Sequence, residues 1–268
     1  MPRLIPLTSS DDPRIDAYRV IKERDLVGRG GRFIVEGRTV LDVALSPRNR
    51  FALESLLLAE SRVEALGPLL AQAPADLPIY TASQTILDGI TGFHIHRGLL
   101  GVGLRGALPS MAELVAGLPE AALVVVPLGI ANHDNVGGIM RNAAAFGADA
   151  ALFDFASCDP LYRKAIRVSV GGSLIVPFAR EGSAEALLDL LAAAGFELLA
   201  LSPAGASVLG EVKPARRTAL LLGAEGPGLP DSILARTRTV RIPMRGGFDS
   251  LNVATTSGIA LHSLACGR

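Results

Sequence analysis

The chain has 268 residues, enough for one or two domains, and its 26 basic and 26 acidic residues leave no net charge. That balance excludes a protein coated in basic surface for nucleic acid, though a local basic patch is compatible with it. Apolar residues make up 49 % and aromatic residues only 4 %, so the core must be built from Ala, Leu, Val and Ile, as in layered α/β proteins. No purely apolar stretch reaches the roughly 18 residues that suggest a membrane span. The opening "MPRLIPLTSSDDPR" has no apolar run of the signal-peptide kind, so a cytoplasmic protein is expected, with no membrane association.

Basic residues cluster early. Arg14, Arg19, Lys22, Arg24, Arg29, Arg32 and Arg38 stand against four acids, and arginine predominates throughout. Arginine offers a planar fork to phosphate, and a GC-rich genome would favour it as well. "FIVEG" then reads as a strand, "RTVLDVALS" as a helix, "LESLLLAE" as a buried strand, "SRVEALGPLLAQA" as a helix, and "LPIYTAS" and "LLGVGLR" as strands. Between the last two, the histidines of "HIHR" (94–97) are too few to indicate a metal, and no metal site is expected. Arg97 beside them is a candidate phosphate contact, and a simple exposed loop fits as well. The expected organisation is an α/β domain over 1–106, a linker over 107–121, whose "ALPSMAELVAGLPEAA" carries two prolines, and a second domain over 122–268.

The second half alternates strand and helix, which implies a mostly parallel sheet covered by helices. "ALVVVPLGI" is a continuous apolar run, as expected of a strand buried on both faces. A polar turn, "NHDN", leads into the helical "VGGIMRNAAAFG". Then come "ADAALFDF" (strand), "PLYRKAIRVSVGG" (helix), "SLIVPFA" (strand), "SAEALLDLLAAAG" (helix), and "FELLALS" and "TALLLGAE" (strands). "PDSILART" is a short helix, "TVRIPM" a strand and "SLNVATTSGIALHSLACG" a last helix. Cys158 and Cys266 lack a CxxC spacing and read as reduced thiols.

Three polar or glycine-rich loops follow strands: "GIANHDNVGG", "GAEGPGLP" and "IPMRGGFDSLN". In an open parallel sheet the carboxyl ends of neighbouring strands form one rim where ligands bind. None of the loops has the G-x-G-x-x-G order or a Walker A sequence, which disfavours a dinucleotide dehydrogenase or a P-loop ATPase.

"NVGGIMRNAAAFGA", "LLLGAEGPGL" and "IPMRGGFDSLNVATTSGIALH" resemble, in order, the three motifs of the SpoU (TrmH-type) branch of the SPOUT RNA methyltransferases. Those motifs run N-x-G-x-x-x-R, then G-x-E-G-x-G, then I-P-M followed by S-L-N-V. "FIVEGRTVLDVAL" resembles the start of that family's N-terminal substrate-binding domain, which is similar to the ribosomal protein L30e fold. The resemblance covers nearly the whole chain. It implies an α/β protein with a C-terminal parallel-sheet domain containing a deep trefoil knot, a homodimer packed through that domain, and S-adenosylmethionine as cofactor. It implies methylation of a ribose 2′-hydroxyl of rRNA or tRNA, with base methylation or RNA binding without catalysis as alternatives.

By the same resemblance Leu222, Gly223, Gly226, Ile242, Met244 and Leu251 line the cofactor pocket. Gly223, Gly226 and Gly228 lack a Cβ and so admit close approach of backbone to ligand, or serve a tight turn. Arg141 matches the residue nearest the ribose oxygen. A free arginine pKa above about 12 makes it a poor base, so we read it as a clamp on the oxyanion; a surface salt bridge is the plainer alternative. Asn135 is expected to hold its loop, cap the helix and orient Arg141, and Glu225 to hold Arg141 or a ribose hydroxyl. Ser250 and Asn252 open the last helix as caps or as direct contacts. His133 is expected in a solvated loop. The arginine-rich stretch from Arg14 to Arg38 is expected to grip RNA.

Overall fold

The computed structural model describes residues 3–19, 27, 30–92, 98–246 and 250–267. Candidate RNA contacts Lys22, Arg24, Arg29 and Arg97, and the histidines at 94 and 96, lie outside them. The chain forms two compact units, one comprising 1–107 with 161–175, the other 108–160 with 176–268.

The first unit contains β1 (Leu4–Pro6), β2 (Arg32–Glu36), α1 (Arg38–Leu45), β3 (Ala52–Ala59), α2 (Val63–Leu70), β4 (Ile79–Ala82), α3 (Gln84–Thr91) and β5 (Leu99–Leu104). The strands make one mixed sheet in the order β1-β4-β3-β5-β2. Helix α3 begins where the Ser83 hydroxyl accepts from Ile86 N and stops at the left-handed Gly92. Its Leu87 and Ile90 pack with Ile15, Tyr18 and Leu57. Neither α3 nor β1 was expected. β1 has only three residues, too few for a visible alternation.

Residues 161–175 also belong to this unit. They form α6 (Arg163–Val168) and α7 (Gly172–Ile175), separated by a left-handed Val170. Arg163 Nε donates to Glu36 Oε2 at 2.9 Å, and Arg167 Nη1 reaches the same oxygen at 3.4 Å. The expected strand "SLIVPFA" is therefore corrected: its first half is α7, and only Phe178–Arg180 is strand (β8).

The second unit contains α4 (Met111–Ala116), β6 (Ala122–Pro127), α5 (His133–Phe146), β7 (Ala150–Phe153), β8, α8 (Ala184–Ala193), β9 (Glu197–Leu201), β10 (Ser207–Val208), β11 (Arg217–Leu222), α9 (Asp231–Leu234), β12 (Arg238–Arg241) and α10 (Val253–Cys266). Its sheet runs β10-β12-β9-β11-β6-β7-β8, and every pairing within it is parallel. Strands of continuous apolar sequence lie at its centre, and every residue of β6 is buried. The stretch expected as a linker carries α4. A reciprocal Ser110–Glu113 capping box starts that helix, and Met111 and Val115 join the core. Two prolines outside the helix had masked it.

The order of strands brings the three polar loops together. β11 lies between β9 and β6, and β12 beside β9. The loops after β6, β11 and β12 thus leave the same edge of the sheet.

Candidate active site

Helix α5 starts one turn earlier than its sequence suggests. Asn132 is the N-cap, its side-chain oxygen accepting from Asp134 N at 2.8 Å, and His133 is the first helical residue. The expected cap role of Asn135 and the loop position of His133 are therefore corrected. "NHDN" misleads because asparagine and aspartate favour turns and helix starts alike. Asn135, Gly138 and Asn142 fall on one face, since each residue advances about 100°. That face meets α10. Asn142 Nδ2 donates to Ala254 O at 2.7 Å and Ser257 Oγ at 2.9 Å. A Cβ on Gly138 would stand 2.5 Å from that of Ala254, so glycine is what allows the helices to approach. Asn142 went unnoticed in the sequence, although its place seven residues after Asn135 puts the two on the same face.

One side chain joins all three motifs. Asn252 caps α10, its Oδ1 accepting from Ala254 N and Thr255 N. Its Nδ2 donates to Asn135 Oδ1 at 2.8 Å and to Glu225 Oε1 at 2.7 Å. Asn135 is 5 % exposed, so its oxygen depends on that donor. Asn252→Ala removes the cap and the donor together. Each change is worth about 1–2 kcal/mol, and we expect a total loss of about 2–4 kcal/mol in urea unfolding. Asn252→Asp keeps the cap and should lose less. Equal stability of Asn252→Ala and wild type would show that the three-way junction contributes nothing.

Beside this junction lies a cavity of about 600 Å³ in the second unit, between the loops after β9, β11 and β12. Leu222, Gly223, Gly226, Ile242, Met244 and Leu251, the six expected pocket residues, all line it, as do Glu225, Ser250 and Asn252. Its size is typical of small-molecule sites. Among the described residues the lining has no lysine, arginine or histidine and includes two carboxylates, Glu225 and Asp231. For Gly223 the structure favours the tight-turn alternative. A Cβ there would lie 2.4 Å from Gly228 C and 2.5 Å from Leu229 N. Its bareness serves the folding of the loop on itself, whereas Gly226 and Gly228 adopt positive φ with open space around them. Ser250 precedes the cap position, which Asn252 takes.

Arg141 is not in the lining. Six residues beyond Asn135 it is turned about 120° from the α10 face and is exposed. It makes no hydrogen bond or ion pair among the described residues, and Glu225 does not hold it; the Glu225 carboxylate receives Asn252 instead. Of the described RNA-contact candidates, Arg14 pairs with Asp12, Arg19 with Asp16 and Asp11, and Arg32 with Glu54. The Arg14 guanidinium holds the Asp12 carboxyl down at about 2. Arg38, at the start of α1, is exposed.

Comparison with known proteins agrees with this geometry. Residues 122–262 match the SpoU rRNA Methylase family. An uncharacterised tRNA/rRNA methyltransferase of Mycobacterium bovis is 41 % identical over 94 % of this chain and 88 % of its own length. The crystal structure of an RNA 2′-O ribose methyltransferase superposes with a TM-score of 0.78 at 25 % identity, covering 98 % of this chain and 99 % of that one. The SpoU methyltransferase AviRb of Streptomyces viridochromogenes, crystallised with AdoMet, gives a TM-score of 0.78 at 22 % identity over 94 % of this chain and 96 % of its own. The chain with this three-motif junction and cavity belongs to the SpoU rRNA methylase family.

Proposed function

We propose that this protein transfers a methyl group from S-adenosylmethionine to a ribose 2′-hydroxyl of rRNA or tRNA. The observation that carries the reading is the cavity. Its wall combines apolar side chains such as Leu222, Ile242, Met244 and Leu251 with the carboxylates Glu225 and Asp231, and has no cationic side chain among its described lining residues. Such a lining suits a cationic nucleoside and disfavours a polyphosphate. AviRb, which has the same fold, was crystallised with this cofactor, and a relative in the same fold is an RNA 2′-O ribose methyltransferase.

When bound, S-adenosylmethionine supplies a methyl group on a positively charged sulfur. Leu222, Ile242, Met244 and Leu251 would bury its apolar surface, and Glu225 would offer a carboxylate to its polar groups. Asn252 ties Glu225, Asn135 and the α10 N-terminus together at fixed spacing. Arg141 would steady the negative charge that builds on the ribose oxygen, and its charge and forked donors suit an oxyanion beside a phosphate. Arg141 stands outside the lining of its own cavity, which fits a homodimer, packed through the second unit, in which it serves the partner's site. The first unit, an L30e-like module with Arg38 exposed, contacts RNA in this reading. The insertion of β11 and β12 between earlier strands is compatible with the family's trefoil knot.

The experiment is incubation with methyl-labelled S-adenosylmethionine and total RNA from cells lacking this protein. Label should enter RNA. Cofactor binding with no label transferred would leave a binding protein; failure to bind the cofactor would overturn the reading. Light scattering at micromolar concentration should give a dimer mass, and a monomer would remove the shared-site proposal.

A further inference from the structure

The loop after β7 is pinned nearly everywhere. Asp154, 7 % exposed, accepts from Gly129 N with both carboxylate oxygens at 3.1 Å, and from Ser157 N and Oγ. Ser157 Oγ in turn accepts from Ile130 N at 3.0 Å. Cys158 N bonds to Ile130 O, and its thiol donates to Ala131 O. These bonds fasten the loop to the segment that leads into the first motif. Yet the loop holds Phe155 outward, 62 % exposed. Among the described residues it is the only exposed aromatic, in a chain with few aromatics.

Exposure of a large apolar ring on a rigid loop needs a reason, because a folded chain gains by burying it. The backbone of Phe155 is fixed on both sides: its N–H donates to Gly182 O at 3.0 Å, and its carbonyl accepts from Arg180 Nη2 at 2.6 Å. Arg180 Nε donates to Ser157 O at 2.6 Å. The guanidinium so anchored sits 5.7 Å from the centre of the Phe155 ring, within cation–π range. Nη1 of Arg180 has no partner among the described residues. The pair is an exposed aromatic ring on a fixed backbone, with an anchored cation over it.

Its position suits one ligand class. β7 stands two strands from β11 in the sheet, about 10 Å along the rim at ~4.8 Å per strand. Phe155, two residues past the end of β7, therefore lies on the same rim of the sheet as the loop that carries Glu225. Every base has a π-face to stack on an aromatic ring, and the phosphate beside it needs a donor.

We propose that Phe155 and Arg180 form a stacking platform for an unpaired base of the substrate RNA next to the target nucleotide, with Arg180 taking the adjoining phosphate. This rests on the reading of the protein as an RNA methyltransferase. The platform orients the strand and leaves the cavity untouched.

The chain has no tryptophan, so Phe155→Trp installs a single reporter. Titration with a single-stranded adenosine hexanucleotide should quench its emission, and the same backbone without bases should not. Equal quenching by the two, or none by either, would overturn stacking. Phe155→Ala should lower affinity for that hexanucleotide and for total RNA on the order of 5- to 100-fold, with cofactor affinity, melting temperature and oligomeric state unchanged. A change of oligomeric state would make Phe155 a subunit contact and sink the proposal. Wild-type RNA affinity and methylation in Phe155→Ala would refute the platform while leaving the methyltransferase reading intact. Absence of RNA binding and methylation in the wild type would overturn that reading and the platform with it.

Discussion

Arg141→Ala is expected to slow single-turnover methylation by at least 100- to 1,000-fold, the loss seen on removing one oxyanion donor, while cofactor affinity stays within about twofold. The separation follows from the geometry. The cavity is lined by the loops after β9, β11 and β12, and Arg141 contributes nothing to its wall. Nor does Arg141 hold the structure together, since it is exposed and has no protein partner among the described residues. Its removal should not change the melting temperature. Arg141→Lys should not restore the rate, because an ammonium lacks the planar fork. Mixing Arg141→Ala subunits with subunits disabled in the cavity should recover part of the activity if Arg141 serves the partner's site. Activity of Arg141→Ala near the wild-type rate would return the residue to an ordinary surface cation.

Gly223→Ala should have the opposite signature. The added Cβ meets Gly228 C at 2.4 Å and Leu229 N at 2.5 Å, and these are backbone atoms that cannot rotate aside. The loop must open, which costs about 1–3 kcal/mol of stability as overpacking does elsewhere. It also moves a wall of the cavity. Cofactor affinity should fall at least tenfold by calorimetry, and activity should fall with it. Gly210→Ala is the control: nothing lies within 4 Å of its Cβ, and its stability should stay within about 0.5 kcal/mol of wild type. Unchanged cofactor affinity in Gly223→Ala would mean that the loop after β11 does not shape the pocket.

Much of the second unit was legible because buried parallel strands are continuous apolar runs. "ALVVVP" and "ALLL" announce β6 and β11 without help from any partner. The three motifs were legible as a resemblance, and all six expected pocket residues do line one cavity. What stayed hidden depends on distance along the chain. No local pattern says that β11 inserts between β9 and β6, because that pairing joins residues such as Leu220 and Val125. Nor does the helical pattern of 163–168 reveal that Glu36, more than a hundred residues earlier, receives its arginines. Asn252 looked like one cap among several candidates. Only the fold shows its amide donating to two other motifs at once. In the sequence Gly223 reads as room for a ligand or as a tight turn, and only the fold shows that the atoms nearest its missing Cβ belong to its own loop. The arginine-rich start read as an RNA grip, but Arg14, Arg19 and Arg32 are engaged by neighbouring carboxylates, which composition cannot show.

The proposed function sends the methyl group to a ribose oxygen. RNA from cells lacking the protein, methylated with labelled S-adenosylmethionine, can be hydrolysed in alkali. Alkaline cleavage uses the free 2′-hydroxyl as its nucleophile, so a 2′-O-methyl group protects the bond that follows it. Label should emerge in an alkali-resistant dinucleotide, and mass spectrometry of the nucleosides should find the extra methyl on the sugar. Label recovered in mononucleotides, with the methyl on the base, would contradict it.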